Sequence, residues 1–391
     1  MEKTDLTKKF QELFGREPIG FASAPGRVEL LGNHTDHQNG KVLAASVNLK
    51  AYAAFAPRDD ETIDLYSEGL GKISVSIRDL SPDVSEFGTS ASLIRGMVRA
   101  FLDQSGAAFL PYGFDAYICS EVLTGSGLSS SAAFEVLVGR ILNQLYVPDV
   151  AKEPLSDVAV AIAGQFAENK YFGKPCGLMD QMACSVGQIV YIDFKDPAQP
   201  VIEQITFDFA AAGYALCAID SGASHDDLTE EYAAIPADMK TVAHYFGKEV
   251  LRDVKPSLLS DDLRLFIGER PLRRAKHYFA EVARVERAVQ ALKENNLAAF
   301  FENVNASGIS SRDVLQNVVP ASDPSNTKLL VAMETTRDLL GGNGAVRING
   351  GGFAGTILAF VPLAKLDDFR EKIENAIGAG SCHVLQIESD R

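Results

Sequence analysis

Residues 123–133 read Leu-Thr-Gly-Ser-Gly-Leu-Ser-Ser-Ser-Ala-Ala, between a β-like run, GFDAYICSEVL, and a long segment with helical apolar spacing, SSAAFEVLVGRILNQLY. No other stretch constrains the fold as much. A helix start leaves several backbone N–H groups unpaired and carries partial positive charge, so a strand-to-helix junction of this kind favours a phosphate. Gly125 and Gly127 allow close backbone approach and positive φ. Ser126 and Leu128 complete the turn, and Ser129, Ser130 and Ser131 can cap the helix, bond phosphate oxygens or offer a hydroxyl to Mg2+. The segment is not a Walker A loop, because GxxxxGK[ST] occurs nowhere in the chain, and it lacks the third glycine of a dinucleotide fingerprint. The HRD and DFG signatures of protein kinases are absent as well.

Two further loops carry polar or glycine-rich clusters. Ser23-Ala-Pro-Gly-Arg-Val-Glu-Leu-Leu-Gly-Asn-His-Thr-Asp-His gathers Arg27, Glu29, Asn33, His34, Asp36 and His37 between two apolar strands. Carboxylate, amide and imidazole are the groups that recognise a hydroxyl-rich ligand such as a sugar. A metal held by His34, Asp36 and His37 is disfavoured, since three nearly adjacent residues would have to converge. The third loop, Arg347-Ile-Asn-Gly-Gly-Gly-Phe-Ala-Gly, sets three consecutive glycines between two strands. Such a run weakens a strand and is kept where backbone meets backbone or ligand.

Charge narrows the partners. The 391 residues hold 52 acidic and 37 basic side chains, a net charge of −15, which repels nucleic acid and anionic lipid. The densest basic group, Arg270, Arg273, Arg274 and Lys276, lies among acidic residues and reads as a solvated helix face. No apolar run approaches a membrane span and the N-terminus lacks a secretion signal, so the expected location is the cytoplasm. The five cysteines form no CxxC pair and no zinc-ligand spacing, which fits small buried hydrophobes in a reduced protein.

Strands and helices mix without strict βαβ alternation, which predicts an α+β chain with two lobes. Short β-like runs lie at FASAPGRVELLG, VLAASVN, AYAAFAP, TIDLYS, KISVSI, IVYIDF, YALCAIDS and HVLQI, and GAVRINGGGFAGTILAFV reads as a hairpin. Helical spacing covers 90–104, 156–169, 228–246, 274–293, 327–340 and 364–377. The boundary is expected near 200, where DPAQP interrupts the pattern, giving lobes 1–200 and 201–391.

In this order and at these separations the three loops resemble the motifs of the GHMP small-molecule kinases. GRVELLGNHTDH is similar to the galactokinase signature, roughly GRVNLIGEHTDY, and Gly173-Lys-Pro-Cys-Gly-Leu-Met-Asp-Gln resembles the segment that carries the family's catalytic aspartate. The resemblance implies an N-terminal mixed-sheet lobe like domain 2 of ribosomal protein S5, a C-terminal ferredoxin-like α/β sandwich lobe, and an active site in the cleft between them. It also implies an ATP- and Mg2+-dependent sugar 1-kinase. Asp180 would take or orient the proton of the anomeric hydroxyl, and Arg27 would stabilise the transferred phosphoryl group. Asn33, His34, Asp36, Gly177 and Tyr232 match sugar contacts; Ser131 and Glu168 match magnesium ligands. Residues 123–131 would wrap the ATP phosphates, and Gly350, Gly351 and Gly352 would close the site. The expected partners are a small sugar and ATP, and the expected state is a monomer or at most a weak dimer. On its own, Asp180 reads as an ordinary helix-start acid, while the Gly/Pro-marked residues before it suit a reactive carboxylate in a loop.

Three positions depart from the galactokinase pattern: Glu29 for Asn, Asn33 for Glu and His37 for Tyr. A neutral amide at 33 removes repulsion against a sugar carboxylated at C6, so galacturonate or another C6-modified hexose is the alternative substrate to galactose. A non-catalytic sugar and ATP sensor is a further alternative, opposed by the intact serine loop, Arg27 and Asp180. Another GHMP kinase, for mevalonate or homoserine, is opposed by HTDH and GLMDQ.

Overall fold

A computed structural model describes residues 2–122, 127–147, 150–224 and 228–388. The chain does not divide at one point. One compact unit holds residues 1–26, 48–123 and 129–187; the other holds 27–47, 124–128 and 188–391. The signature loop and residues 124–128, ahead of the three serines, therefore belong with the second unit, although both precede the expected boundary near 200. The physical reason is that two long strands each run from one unit into the other, so contact follows the sheet rather than sequence order.

The first unit opens with helix α1 (Lys3–Phe14), whose Leu6 and Phe10 are buried against Ala54, Ala56, Tyr117 and Cys119. Strand β1 (Gly20–Leu31) pairs with β2 (Lys41–Pro57), which unites two runs that read as separate strands in the sequence. Residues 51–57 of β2 pair antiparallel with β5 (Phe114–Ser120), which lies parallel to β3 (Thr62–Ser67), itself antiparallel to β4 (Gly71–Ser76). Helices α2 (Ser90–Ser105), α3 (Ser130–Tyr146), α4 (Asp157–Ala167) and α5 (Met179–Val186) cover this sheet with one apolar core. The sheet contributes alanines with Phe55, Ile63, Leu65, Phe114 and Ile118, and the helices contribute Leu93, Met97, Phe101, Leu137, Ile141 and Val160. Removing such side chains from water is the main favourable contribution to folding.

In the second unit, residues 41–45 of β2 pair with β6 (Ile189–Asp193), which pairs in turn with β7 (Val201–Ile205). A four-stranded antiparallel sheet follows from β8 (Tyr214–Asp220), β9 (Ala345–Ile348), β10 (Thr356–Pro362) and β11 (Cys382–Leu385), in the order β11-β8-β10-β9. The hairpin read from the sequence is real, with Ile348 opposite Ile357. Helices α6 (Thr229–Tyr245), α7 (Arg264–Ile267), α8 (Glu269–Lys293), α9 (Leu297–Ser310), α10 (Lys328–Leu340) and α11 (Leu366–Ile377) complete the unit. No helix among the described residues is long and apolar enough to cross a membrane.

The basic cluster is only partly a solvated face. Arg274 is buried and donates to Asp238 at 2.8 Å, and Arg270 binds the same carboxylate at 2.6 Å. None of the five cysteines is in a disulfide; four are buried, and Cys176 is only partly so.

Candidate active site

The signature loop and the glycine loop are built onto one another within the second unit. Three side chains donate to three consecutive carbonyls: Asn33 Nδ2 to Gly350 O at 2.7 Å, His34 Nε2 to Gly351 O at 2.9 Å, and Tyr232 Oη to Gly352 O at 2.8 Å. Because a carbonyl only accepts, His34 carries its proton on Nε2, and Nδ1 accepts from His37 Nε2 at 3.2 Å. Burial lowers the pKa of His34 to about 4. His34 itself sits at φ 57, a left-handed conformation that a non-glycine residue adopts at a cost. The glycines are needed for this fit. A Cβ on Gly352, at φ 83, would lie 2.1 Å from Asn317 O, and one on Gly351 would meet the Tyr232 ring at 2.8 Å.

Asn33 is the hub. Its amide N–H groups reach Gly350 O and the Glu29 carboxylate, at 3.2 and 3.3 Å from the two oxygens, and its Oδ1 accepts from Ser311 at 3.2 Å and Asn317 at 2.9 Å. Glu29 lies between this amide and Arg347, whose Nη2 is 2.9 Å from Glu29 Oε1 in a fully buried ion pair. Burial raises the Glu29 pKa, with Arg347 and Arg27 opposing. The two departures at 29 and 33 are therefore one feature: carboxylate and amide have exchanged places in a hydrogen-bonded pair.

Residues beyond the sequence motifs hold the loop. Glu281 on α8 accepts from Gly32 N at 3.0 Å, Asn33 N at 3.3 Å and Ser307 Oγ at 2.6 Å. Burial pushes its pKa up, but Arg284, His277 and Arg347 outweigh that and bring it to about 2. His277 Nε2 bonds Asn33 O at 3.0 Å. Nothing in a single sequence marks Glu281, His277, Ser311 or Asn317, which stand on a helix face or in polar turns 244 to 284 positions downstream of Asn33. Asp36 opens a short 3-10 turn and accepts from His37 N at 2.9 Å.

Arg27 brings the other two loops to the same place. Its Nη1 donates to Gly127 O at 2.5 Å, its backbone N–H to Leu128 O at 3.0 Å, and a Cβ on Gly350 would lie 3.4 Å from its Nη2. Asn349 Nδ2 donates to Gly127 O at 2.9 Å. Gly125 and Ser126 lie outside the described residues.

The first unit carries the remaining candidates. Ser129 precedes α3 at φ 60 and ψ 57 and does not cap it; its Oγ instead donates to Asp180 Oδ2 at 2.6 Å. Asp180 stands in the first turn of α5, half-buried, three residues after Gly177, so it is the helix-start acid that it reads as on its own, with the Gly/Pro-marked residues just before it. Ser130 and Ser131 begin α3, backed by fully buried Ala132 and Ala133. Glu168, at the π-turn that ends α4, is buried and 3.3 Å from Lys174 Nζ. Burial opposes charge on Lys174, yet Glu168 and Asp180 outweigh it and raise its pKa.

Comparison with known proteins places this arrangement. The galactokinase galactose-binding signature matches residues 8–57, and the GHMP kinases N terminal domain matches residues 92–188. A galactokinase of Actinobacillus pleuropneumoniae serotype 5b (strain L20) is 32% identical over 375 residues, covering 94% of this chain and 91% of the relative. The chain belongs to the galactokinase family. A galactokinase of Streptomyces coelicolor is likewise 32% identical, over 97% of this chain and 94% of its own. The crystal structure of Lactococcus lactis galactokinase complexed with galactose aligns with a TM-score of 0.84 at 26% identity, over 98% of each chain. Mevalonate kinase of Methanococcus jannaschii, at 13% identity and a TM-score of 0.67, shares the fold. As a galactokinase-family member the chain is an ATP-dependent sugar kinase with the two-lobed α+β fold of the GHMP kinases.

Proposed function

We propose that this chain transfers the γ-phosphoryl group of ATP to the anomeric hydroxyl of galactose, releasing galactose 1-phosphate and ADP. The observation that carries the reading is the row of bonds from Asn33, His34 and Tyr232 to Gly350, Gly351 and Gly352, which ties the residues matching sugar contacts to the loop matching the closing element. Phosphoryl transfer asks for in-line positioning and cancelled negative charge rather than covalent help. Asp180 accepts the proton as the sugar oxygen attacks the γ-phosphorus, and Ser129 fixes one carboxylate oxygen for that task. Arg27, held by Gly127 O, balances charge on the transferring group. Backbone N–H groups at the start of α3 and of the loop before it receive the ATP phosphates.

Mg2+ fits the donors present. Among the described residues no three His, Cys, Asp or Glu side chains form a metal cluster, and Mg2+ commonly takes one or two carboxylates with phosphate oxygens and water. Glu168 and Ser131 would hold it. When bound, the ion cancels charge on the β- and γ-phosphates. The net charge of −15 disfavours nucleic acid and anionic lipid as partners and supports action on small molecules.

A second reading is favoured by one feature, the neutral amide at Asn33 with Glu29 drawn to Arg347. It is phosphorylation of a hexose carboxylated at C6. Assaying the purified protein with ATP against galactose, galacturonate, glucose and N-acetylgalactosamine separates the two. Turnover of galactose supports the first; turnover of the uronate without galactose overturns it.

A further inference from the structure

Behind the start of α3, polar side chains from three helical segments meet inside the first unit, and the mechanism above uses only one of them. Glu135 of α3 and Gln181 of α5 are fully buried, and Glu168 is 3% exposed. Gln181 Nε2 donates to Glu135 Oε2 at 3.0 Å and to Glu168 Oε2 at 2.8 Å, with Cys176 Sγ a longer contact at 3.8 Å. The two carboxyl bonds use both hydrogens of the amide. Glu135 Oε1 and Gln181 Oε1 are then left buried without a partner among the described residues.

Two bare acceptors cannot satisfy each other, and an orphaned buried oxygen is costly. One proton resolves both. A carboxylic acid and a primary amide pair in a ring, N–H to the acid carbonyl and O–H to the amide carbonyl. We propose that Glu135 is a neutral acid whose Oε1–H donates to Gln181 Oε1, and that this clamp makes Glu135 a positioning residue for Glu168 by fixing the second amide N–H on Glu168 Oε2. The packing agrees. Gly164 of α4 passes flush against the pair, where a Cβ would lie 2.8 Å from Glu135 Oε2 and 2.9 Å from Gln181 Cγ. Lys174 engages the opposite oxygen, Glu168 Oε1, so the carboxyl group is held from both sides. Burial, with the Glu168 charge adding to it, drives the Glu135 carboxyl well above the usual carboxylate range. The consequence for magnesium rests on the role proposed above for Glu168; the protonation of Glu135 does not.

Infrared difference spectra of wild type and Glu135→Gln, without nucleotide or metal at pH 7.5, read the proton directly. The wild type should show a neutral carboxylic C=O band, shifted in D2O, that Glu135→Gln lacks. Glutamine at 135 can still donate to Gln181 Oε1 and accept from Nε2, so Glu135→Gln should bind Mg2+-ATP by calorimetry with near wild-type affinity. Glu135→Ala, which frees the amide to turn, should weaken the Mg2+-dependent part of ATP binding by about tenfold or more and leave metal-free ATP binding unchanged. A missing band in the wild type overturns the protonation. Equal impairment of the Gln and Ala variants, or none in either, overturns the positioning role. A wild type that phosphorylates no sugar would instead overturn the proposed function, and the infrared band would still decide the state of Glu135.

Discussion

Replacing Asn33 with Glu sets a second carboxylate about where Nδ2 now lies 3.2 Å from Glu29 Oε2 in a fully buried site. Two unit charges at that separation repel by about 5 kcal/mol at an effective dielectric constant near 20. The variant can escape by taking up a proton. At pH 7.5 that costs about 4 kcal/mol, from a carboxyl with an ordinary pKa near 4.3 at about 1.4 kcal/mol per pH unit. Asn33→Glu should therefore lose about 4 kcal/mol of stability, read as a lower urea midpoint. The shared proton gives the pair a raised folded pKa. Its stability is then regained below the unfolded value, near pH 4, and lost as pH rises through the folded one. Glu29→Asn alone leaves Arg347 buried without its carboxylate, a loss on the order of 3–5 kcal/mol. The double variant Glu29→Asn/Asn33→Glu keeps one charge, one amide and the cation, so it should be more stable than the sum of the single losses by at least about 2 kcal/mol. Additive losses, or an Asn33→Glu protein as stable as wild type at pH 7.5, would refute the exchanged-pair account.

Other outcomes follow from the same geometry. Asp180→Asn should abolish most phosphoryl transfer while calorimetry still detects ATP and sugar; a variant with normal turnover removes Asp180 from the mechanism. Gly352→Ala should lose more than the roughly 1–2 kcal/mol of left-handed strain, because its Cβ meets Asn317 O at 2.1 Å. Gly213→Ala, at φ 87 with nothing within 4 Å, isolates the strain alone, so equal melting shifts for the two would contradict the packing. Glu281→Gln should cost about 3 kcal/mol at neutral pH, since the wild-type carboxyl falls from 4.5 to about 2. A lowered folded pKa stabilises above the unfolded value and is lost as pH falls toward 2, so the gap between wild type and variant should close below pH 4.

The sequence exposed the parts of this chain that are local and left hidden the parts that are assembled. Periodicity found α2, α6, α10 and α11 nearly to the residue, because each has an apolar face and, in α2, a capping threonine at 89. It missed α9, whose polar residues break the apolar spacing, and β7, which is exposed along most of its length and is held by antiparallel pairing with β6. It split β2 in two, because the polar Asn48 and Lys50 interrupt the apolar run while the backbone continues extended. The loops were legible since glycine runs and capping serines have few other uses. The hub around Asn33 was not: its partners Ser311, Asn317, His277 and Glu281 are common residue types at unremarkable spacing, united only by folding. Glu135 shows the same limit, since a charged residue in helix α3 reads as solvent-facing until the structure encloses it.

The most direct test of the account is 31P NMR of the purified protein with ATP, Mg2+ and galactose. The prediction is a resonance for a sugar phosphorylated at O1, growing with ADP, and absent with Asp180→Asn. ATP left intact in the presence of galactose, or phosphate appearing on another hydroxyl, would contradict it.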